Sequence, residues 1–115
     1  MVSSSQIERV IQQHLHDWRF SVDQLAECLN ICPSHLRELV RKYYNLTPHN
    51  LIQKRRLELA VALLCTEKCI KTVSRTVGYI NPRTFRNVFR RGFNMTPTEY
   101  VHRYVVGRQH RAAAQ

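Results

Sequence analysis

Apolar residues recur at spacings of three and four along nearly the whole chain, and the runs break at residues that start or stop helices. Ile7, Val10, Ile11, Leu15 and Trp18 form a first stripe, and Ser5-Gln6-Ile7-Glu8 ahead of them reads as a capping box. Ser21-Val22-Asp23-Gln24 reads as a second box, opening a short helix with Leu25, Ala26 and Leu29 inward and Asn30 at its left-handed end. Pro33 suits the first position of a third helix, whose buried side is Leu36, Leu39, Val40 and Tyr43 or Tyr44. Thr47-Pro48 starts a longer helix carrying Leu51, Ile52, Leu57, Ala60, Val61 and Leu64. Its 17 residues span about 25 Å at the α-helical rise.

The second half replays the first. Cys69 to Ser74 lies 48 residues after Ser21 to Ala26, and Gly78 lies 48 after Asn30. The turn that follows is one residue longer, so the offset becomes 49. At that offset Pro82, Arg86, Arg90, Asn94, Thr96 and Pro97 repeat Pro33, Arg37, Arg41, Asn45, Thr47 and Pro48. Thr96-Pro97-Thr98-Glu99 opens a last helix with Tyr100, Val101 and Tyr104. Each copy is thus a short helix, a tight turn, a second helix and a Thr-Pro-started exit helix, which is a helix-turn-helix unit. The expected fold is all-α, with two helix-turn-helix subdomains joined by a long central helix and about seven helices in all. Residues 1–47 form the first subdomain, 48–65 the linker helix and 66–107 the second subdomain. Residues 108–115 are a basic, Ala-rich tail expected to fray.

Charge sharpens this picture. The 115 residues carry 18 Lys+Arg against 8 Asp+Glu, a formal net of +10. Residues 1–67 hold 8 basic and 7 acidic side chains, whereas residues 68–115 hold 10 basic ones and only Glu99. Such a half points to a polyanion, most often nucleic acid. On the second helix of the second unit, Phe85, Val88 and Phe89 face inward, and Arg83, Arg86, Asn87 and Arg90 share the opposite face with Arg91 beside them. Asn81 is a suitable N-cap before Pro82, and helix N-termini attract phosphate. Arg can pair with guanine and Asn with adenine in the major groove, so this helix is the expected reader of DNA. The equivalent face of the first unit is Pro33, Ser34, Arg37, Glu38, Arg41 and Lys42. Glu38 stands where Asn87 stands; it can accept from cytosine but repels phosphates, so this helix reads bases, meets only the backbone, or orients another protein.

The quoted residues are distinctive in combination: Ser21-x-x-x-Leu25-Ala26-x-x-Leu29, Leu36-Arg37-x-Leu39-Val40-Arg41-Lys42, Asn45-Leu46-Thr47-Pro48, Arg56-Leu57-x-x-Ala60-x-x-Leu63-Leu64, Gly78-Tyr79, and Phe85-x-x-x-Phe89-Arg90-Arg91-x-Phe93-Asn94-Met95-Thr96-Pro97-x-x-Tyr100. Over roughly residues 5–105 the chain resembles the DNA-binding domain of AraC/XylS-type bacterial transcription regulators. The resemblance implies a monomeric unit of seven helices, bridged by the long helix, with each second helix in one of two successive major grooves of promoter DNA. Three departures stand out: Ser74 replaces a usual small Ala, Cys32 and Cys69 occupy helix starts where a Ser-like cap is usual, and Glu38 replaces a longer polar or basic residue.

Several classes fall away. No apolar run approaches the ~20 residues a membrane span needs, and no apolar segment follows the polar start, so no signal peptide is read. Cytoplasmic, nucleoid-associated thiols are therefore expected of Cys28, Cys32, Cys65 and Cys69. Their two x-x-x spacings could pair as zinc ligands, but they fall inside the repeat framework, and packing residues or Ser-like caps are the expectation. If any thiol is reactive, Cys32 beside a basic helix is the candidate. No nucleophile–base set or phosphate-cradling loop is present, so neither catalysis nor a cofactor or metal is expected. The alternative function is a helix-turn-helix adaptor that chiefly grips RNA polymerase or another regulator.

Overall fold

The helices begin and end where backbone chemistry requires. The computed structural model describes residues 2–66 and 69–106, and no strand occurs among them. Helices α1 (Ser4–His14), α2 (Val22–Cys28), α3 (Pro33–Tyr44) and α4 (Pro48–Leu64) are followed by α5 (Ile70–Thr76), α6 (Pro82–Phe93) and α7 (Pro97–Tyr100). The last runs on as a π-helical segment, Val101–Val106. The tail 108–115 expected to fray lies outside the described residues. Two compact units divide the chain, Met1–Arg56 and Leu57–Gln115, and the boundary falls inside α4.

In the first unit α1 packs on α2 and α2 on α3. Ile7, Ile11, Leu15, Phe20, Leu25, Ala26, Leu36, Leu39, Val40, Leu51 and Ile52 are buried. The cap of α1 differs from the sequence expectation. Ser3, not Ser5, is the N-cap: its hydroxyl accepts from Gln6 N at 3.3 Å while Ser3 N donates to Gln6 Oε1 at 2.8 Å. Glu8 cannot close the expected box because Arg55 of α4 holds it. Arg55 Nε lies 3.0 and 3.1 Å from the two Glu8 carboxylate oxygens, and its Nη2 lies 2.6 Å from Oε1. This pair is only 19% and 29% exposed at its two side chains.

Trp18 also departs from the expected stripe and is 58% exposed. Helix α1 stops at His14, and the chain turns through Asp17, whose carboxylate accepts from Arg19 N at 2.9 Å and whose carbonyl accepts from Phe20 N at 3.1 Å. Phe20 thereby takes the buried place, stacked on the His14 ring at 4.8 Å. The same Asp17 carbonyl accepts from Arg56 Nη2 at 2.9 Å, tying α4 to this turn.

The second unit is built on aromatic rings. Leu57, Ala60, Leu64, Val73, Val77, Phe85, Val88 and Phe89 form one buried cluster. Rings continue it outward: Tyr79–Phe85 at 5.7 Å, Phe85–Phe89 at 5.8 Å, Phe89–Phe93 at 4.6 Å and Phe89–Tyr100 at 5.6 Å, the last edge-on. Gly92 leaves room for Leu57, because a Cβ there would stand 2.8 Å from Leu57 Cδ1.

The Arg55 guanidinium holds the Glu8 carboxyl below its ordinary value of 4.5, with Tyr44 and Gln12 assisting against partial burial. Partial burial and the Glu8 charge push Tyr44 up to about 12. Since folding lowers the Glu8 pKa, the stabilisation is complete above the unfolded value and is lost as pH falls through the folded one. Glu8→Gln should therefore cost about 1–3 kcal/mol at neutral pH, and the cost should shrink as pH is lowered below the ordinary carboxylate range, measured by urea unfolding across an acid pH series. In the second unit Phe89→Ala, which removes the ring shared by Phe85, Phe93 and Tyr100, should cost about 3–5 kcal/mol by the same measurement.

Candidate nucleic-acid interface

Two short turns aim the helices that carry the candidate residues. After α2, Asn30 adopts φ 57°, and its N–H donates to Glu27 O at 3.0 Å while Ile31 N donates to Ala26 O at 3.0 Å. After α5, Gly78 adopts φ 93°, with Gly78 N donating to Arg75 O at 3.2 Å and Tyr79 N to Ser74 O at 2.9 Å. Both are the paired bonds of a Schellman termination, which satisfies carbonyls a helix end leaves orphaned. Ser74 is fully buried, and its hydroxyl donates to Tyr79 O at 3.1 Å, a second clasp on the longer turn. The Ser for Ala exchange noted in the sequence thus supplies a bond.

Helix α6 then starts at Pro82 with Asn81 as its N-cap, Oδ1 accepting from Arg83 N at 2.9 Å. Phe85, Val88 and Phe89 face inward. Arg83, Arg86, Asn87, Arg90 and Arg91 are all exposed, and Pro82 is half-buried. Among the described residues no carboxylate forms an ion pair with any of the four arginines. Asn87, Arg90, Arg91 and Asn94 line an open concavity of about 380 Å³. Asn94 is a lining residue that sequence reading left out. Its signal was available in the repeat, because Asn45 and Asn94 both end their helices at positive φ, 58° and 60°.

Helix α3 presents Pro33, Ser34, Arg37, Glu38, Arg41 and Lys42, all exposed. Its side chains are more committed to each other. Arg37 Nη2 donates to Ser34 Oγ at 3.3 Å, and Glu38 Oε2 lies 4.0 Å from His35 Nδ1. Lys42 Nζ lies over the Tyr43 ring at 5.9 Å. The α3 and α6 sets belong to different units.

The cysteines are not packing residues: all four are exposed. Cys32 and Cys69 do occupy N-cap positions, and the Cys32 side chain makes no cap hydrogen bond. The Thr72 and Lys71 backbone amides at the start of α5 hold the Cys69 thiol below its ordinary range. No group of three or more His, Cys, Asp or Glu among the described residues could hold a metal ion, and no described helix is long and apolar enough to cross a membrane.

Comparison with known proteins agrees with this arrangement. Residues 25–103 match a family described as a helix-turn-helix domain. The regulatory protein SoxS of Escherichia coli K12 is 35% identical over 94 residues, covering 81% of this chain and 87% of that protein. Histidine kinase P4 of Formosa agariphila is 31% identical over 97 residues, 84% of this chain; the chain spans only 7% of that kinase. The DNA-binding domain of the global transcriptional factor AdpA, solved in complex with a target DNA, has a similar fold. Its TM-score is 0.84 at 24% identity, over 91% of this chain and 95% of that one.

Asn81→Ala removes the cap that starts α6 and should cost about 1 kcal/mol, whereas Asn81→Asp should cost much less. Thermal unfolding of the two variants checks this.

Proposed function

The chain belongs to the AraC-type helix-turn-helix family, and on that premise we propose that it reads double-stranded promoter DNA for a bacterial transcription regulator. The observation that carries the reading is the exposed face of α6. Four arginines and Asn87 stand on a helix locked by Phe85, Val88 and Phe89, with no carboxylate paired to the arginines among the described residues. A major groove admits such a helix, and its base edges offer guanine O6 and N7 to Arg and adenine N6 and N7 to Asn. The α6 N-terminus, organised by Asn81, offers backbone amides and a positive dipole end to phosphate. Arg91 and Asn94 at the concavity add donors for the backbone.

The α3 face enters a groove as the second reader, with fewer free cations and with Glu38 restricting what it meets. Cytoplasm and nucleoid follow from DNA as the partner. RNA polymerase is a further partner of a regulator of this kind, reached while DNA is held. An adaptor that only grips proteins would leave the arginine face of α6 without a purpose and is not favoured. The family is one of transcription regulators and not an enzyme class.

Binding to a duplex recovered by selection from random sequence should fall steeply with salt, with a log–log slope of about −5 if roughly six phosphates are met. Arg86→Ala or Arg90→Ala should weaken binding and relax base preference by about 1–3 kcal/mol at one position. Gel-shift competition between the selected duplex and bulk DNA checks both, and a footprint and preference unchanged by either substitution would overturn the reading face.

A further inference from the structure

The turn before α6 contains one residue more than the turn before α3, and the hydrogen bonds identify it. Ile31 and Tyr79 hold equivalent places, each N–H donating to the carbonyl five residues back after the left-handed Asn30 or Gly78. In the first unit the N-cap Cys32 follows at once. In the second, Ile80 intervenes before the N-cap Asn81. The additional residue is therefore an isoleucine, and it is 55% exposed.

Among the described residues, Ile80 belongs neither to the buried cluster of the second unit nor to the hydrophobics packed against it. An apolar residue just before an N-cap commonly packs on the fourth helical residue, which here is Phe85. That contact is already made by Tyr79, whose ring lies 5.7 Å from Phe85. Ile80 is held firmly nonetheless. Ser74 bonds both the N–H and the carbonyl of Tyr79 on one side, and the Asn81 cap closes on Arg83 N on the other. A large apolar side chain, more than half exposed, thus stands on a well-anchored turn immediately before the N-cap of α6.

Resting on the DNA-reading assignment above, we propose that Ile80 is a specificity-determining residue that packs on a thymine C5 methyl at the edge of the groove entered by α6. The methyl is the apolar group that base edges display in the major groove, so an aliphatic side chain at the start of a reading helix distinguishes thymine from cytosine without a hydrogen bond. The first unit, lacking the inserted residue, has no equivalent contact.

The test uses the duplex that the full chain selects from random sequence. Each thymine is replaced singly by deoxyuridine, which removes only the methyl, and binding of the wild type is compared with that of Ile80→Ala and Ile80→Val. One thymine is expected whose replacement weakens wild-type and Ile80→Val binding about three- to fivefold but leaves Ile80→Ala unaffected. Circular dichroism of Ile80→Ala should match the wild type because the side chain is exposed. If every replacement affects wild type and Ile80→Ala equally, Ile80 does not touch thymine and the proposal is overturned, including in favour of a protein covering it. If the wild type selects no sequence, the DNA-reading assignment itself fails and takes this one with it.

Discussion

Each outward-facing helix owes its direction to one residue in the left-handed region. Asn30, Asn45 and Asn94 lie at φ 57°, 58° and 60°, and Gly78 lies at 93°. A β-branched or bulky residue at such a place would be strained by roughly 1–2 kcal/mol, while Asn and Gly tolerate it. Reversing in one residue lets the next helix start after only two or three intervening residues. Proline follows at the first position of α3, α4, α6 and α7, where its missing N–H costs nothing and its fixed φ suits the helix. The faces of α3 and α6 are consequences of these stops and starts. Buried side chains then hold the helices where the turns have already aimed them.

The two units use their cations differently. In the first, Arg55 is folded onto Glu8 and Arg56 reaches the Asp17 carbonyl, so two arginines of α4 are structural. A partly buried guanidinium needs such partners, because desolvation without them is costly. In the second, the arginines of α6 stay in water, where charge is cheap to maintain and remains available to an incoming polyanion. Counting charges by halves therefore understates the contrast, since the count treats Arg55 and Arg86 alike.

Much of this was legible in the sequence because it is local. Helical periodicity, proline at first positions and the left-handed roles of Asn30 and Gly78 depend on residues within a turn or two. The errors arise where distant residues compete. Ser3 with Gln6 and Ser5 with Glu8 are equally good boxes on paper; Arg55, 47 residues from Glu8, removes the second by taking its carboxylate. Trp18 fits the stripe of α1, but Asp17 ends the helical course and Phe20 fills the place first. The cysteines look like core residues by type, yet all four fall at helix ends or turns, where solvent reaches them. Asn94 reads from the repeat as a helix end only, and that role conceals that it also borders the concavity.

The repeat finally separates what the scaffold dictates from what each copy's own side chains add. Arg37 and Arg86 occupy equivalent places, as do Arg41 and Arg90, so backbone geometry presents the same pair of guanidinium groups twice. Their neighbours differ: Ser34 corresponds to Arg83 and Glu38 to Asn87. Ser34 holds Arg37 by a hydrogen bond, which draws that guanidinium along its own helix. Arg83 cannot accept a hydrogen bond from Arg86 and repels it, which favours both side chains extending outward. Identical residues at identical positions therefore differ in how their guanidinium groups are held, and a single neighbour three positions earlier is enough to make the difference.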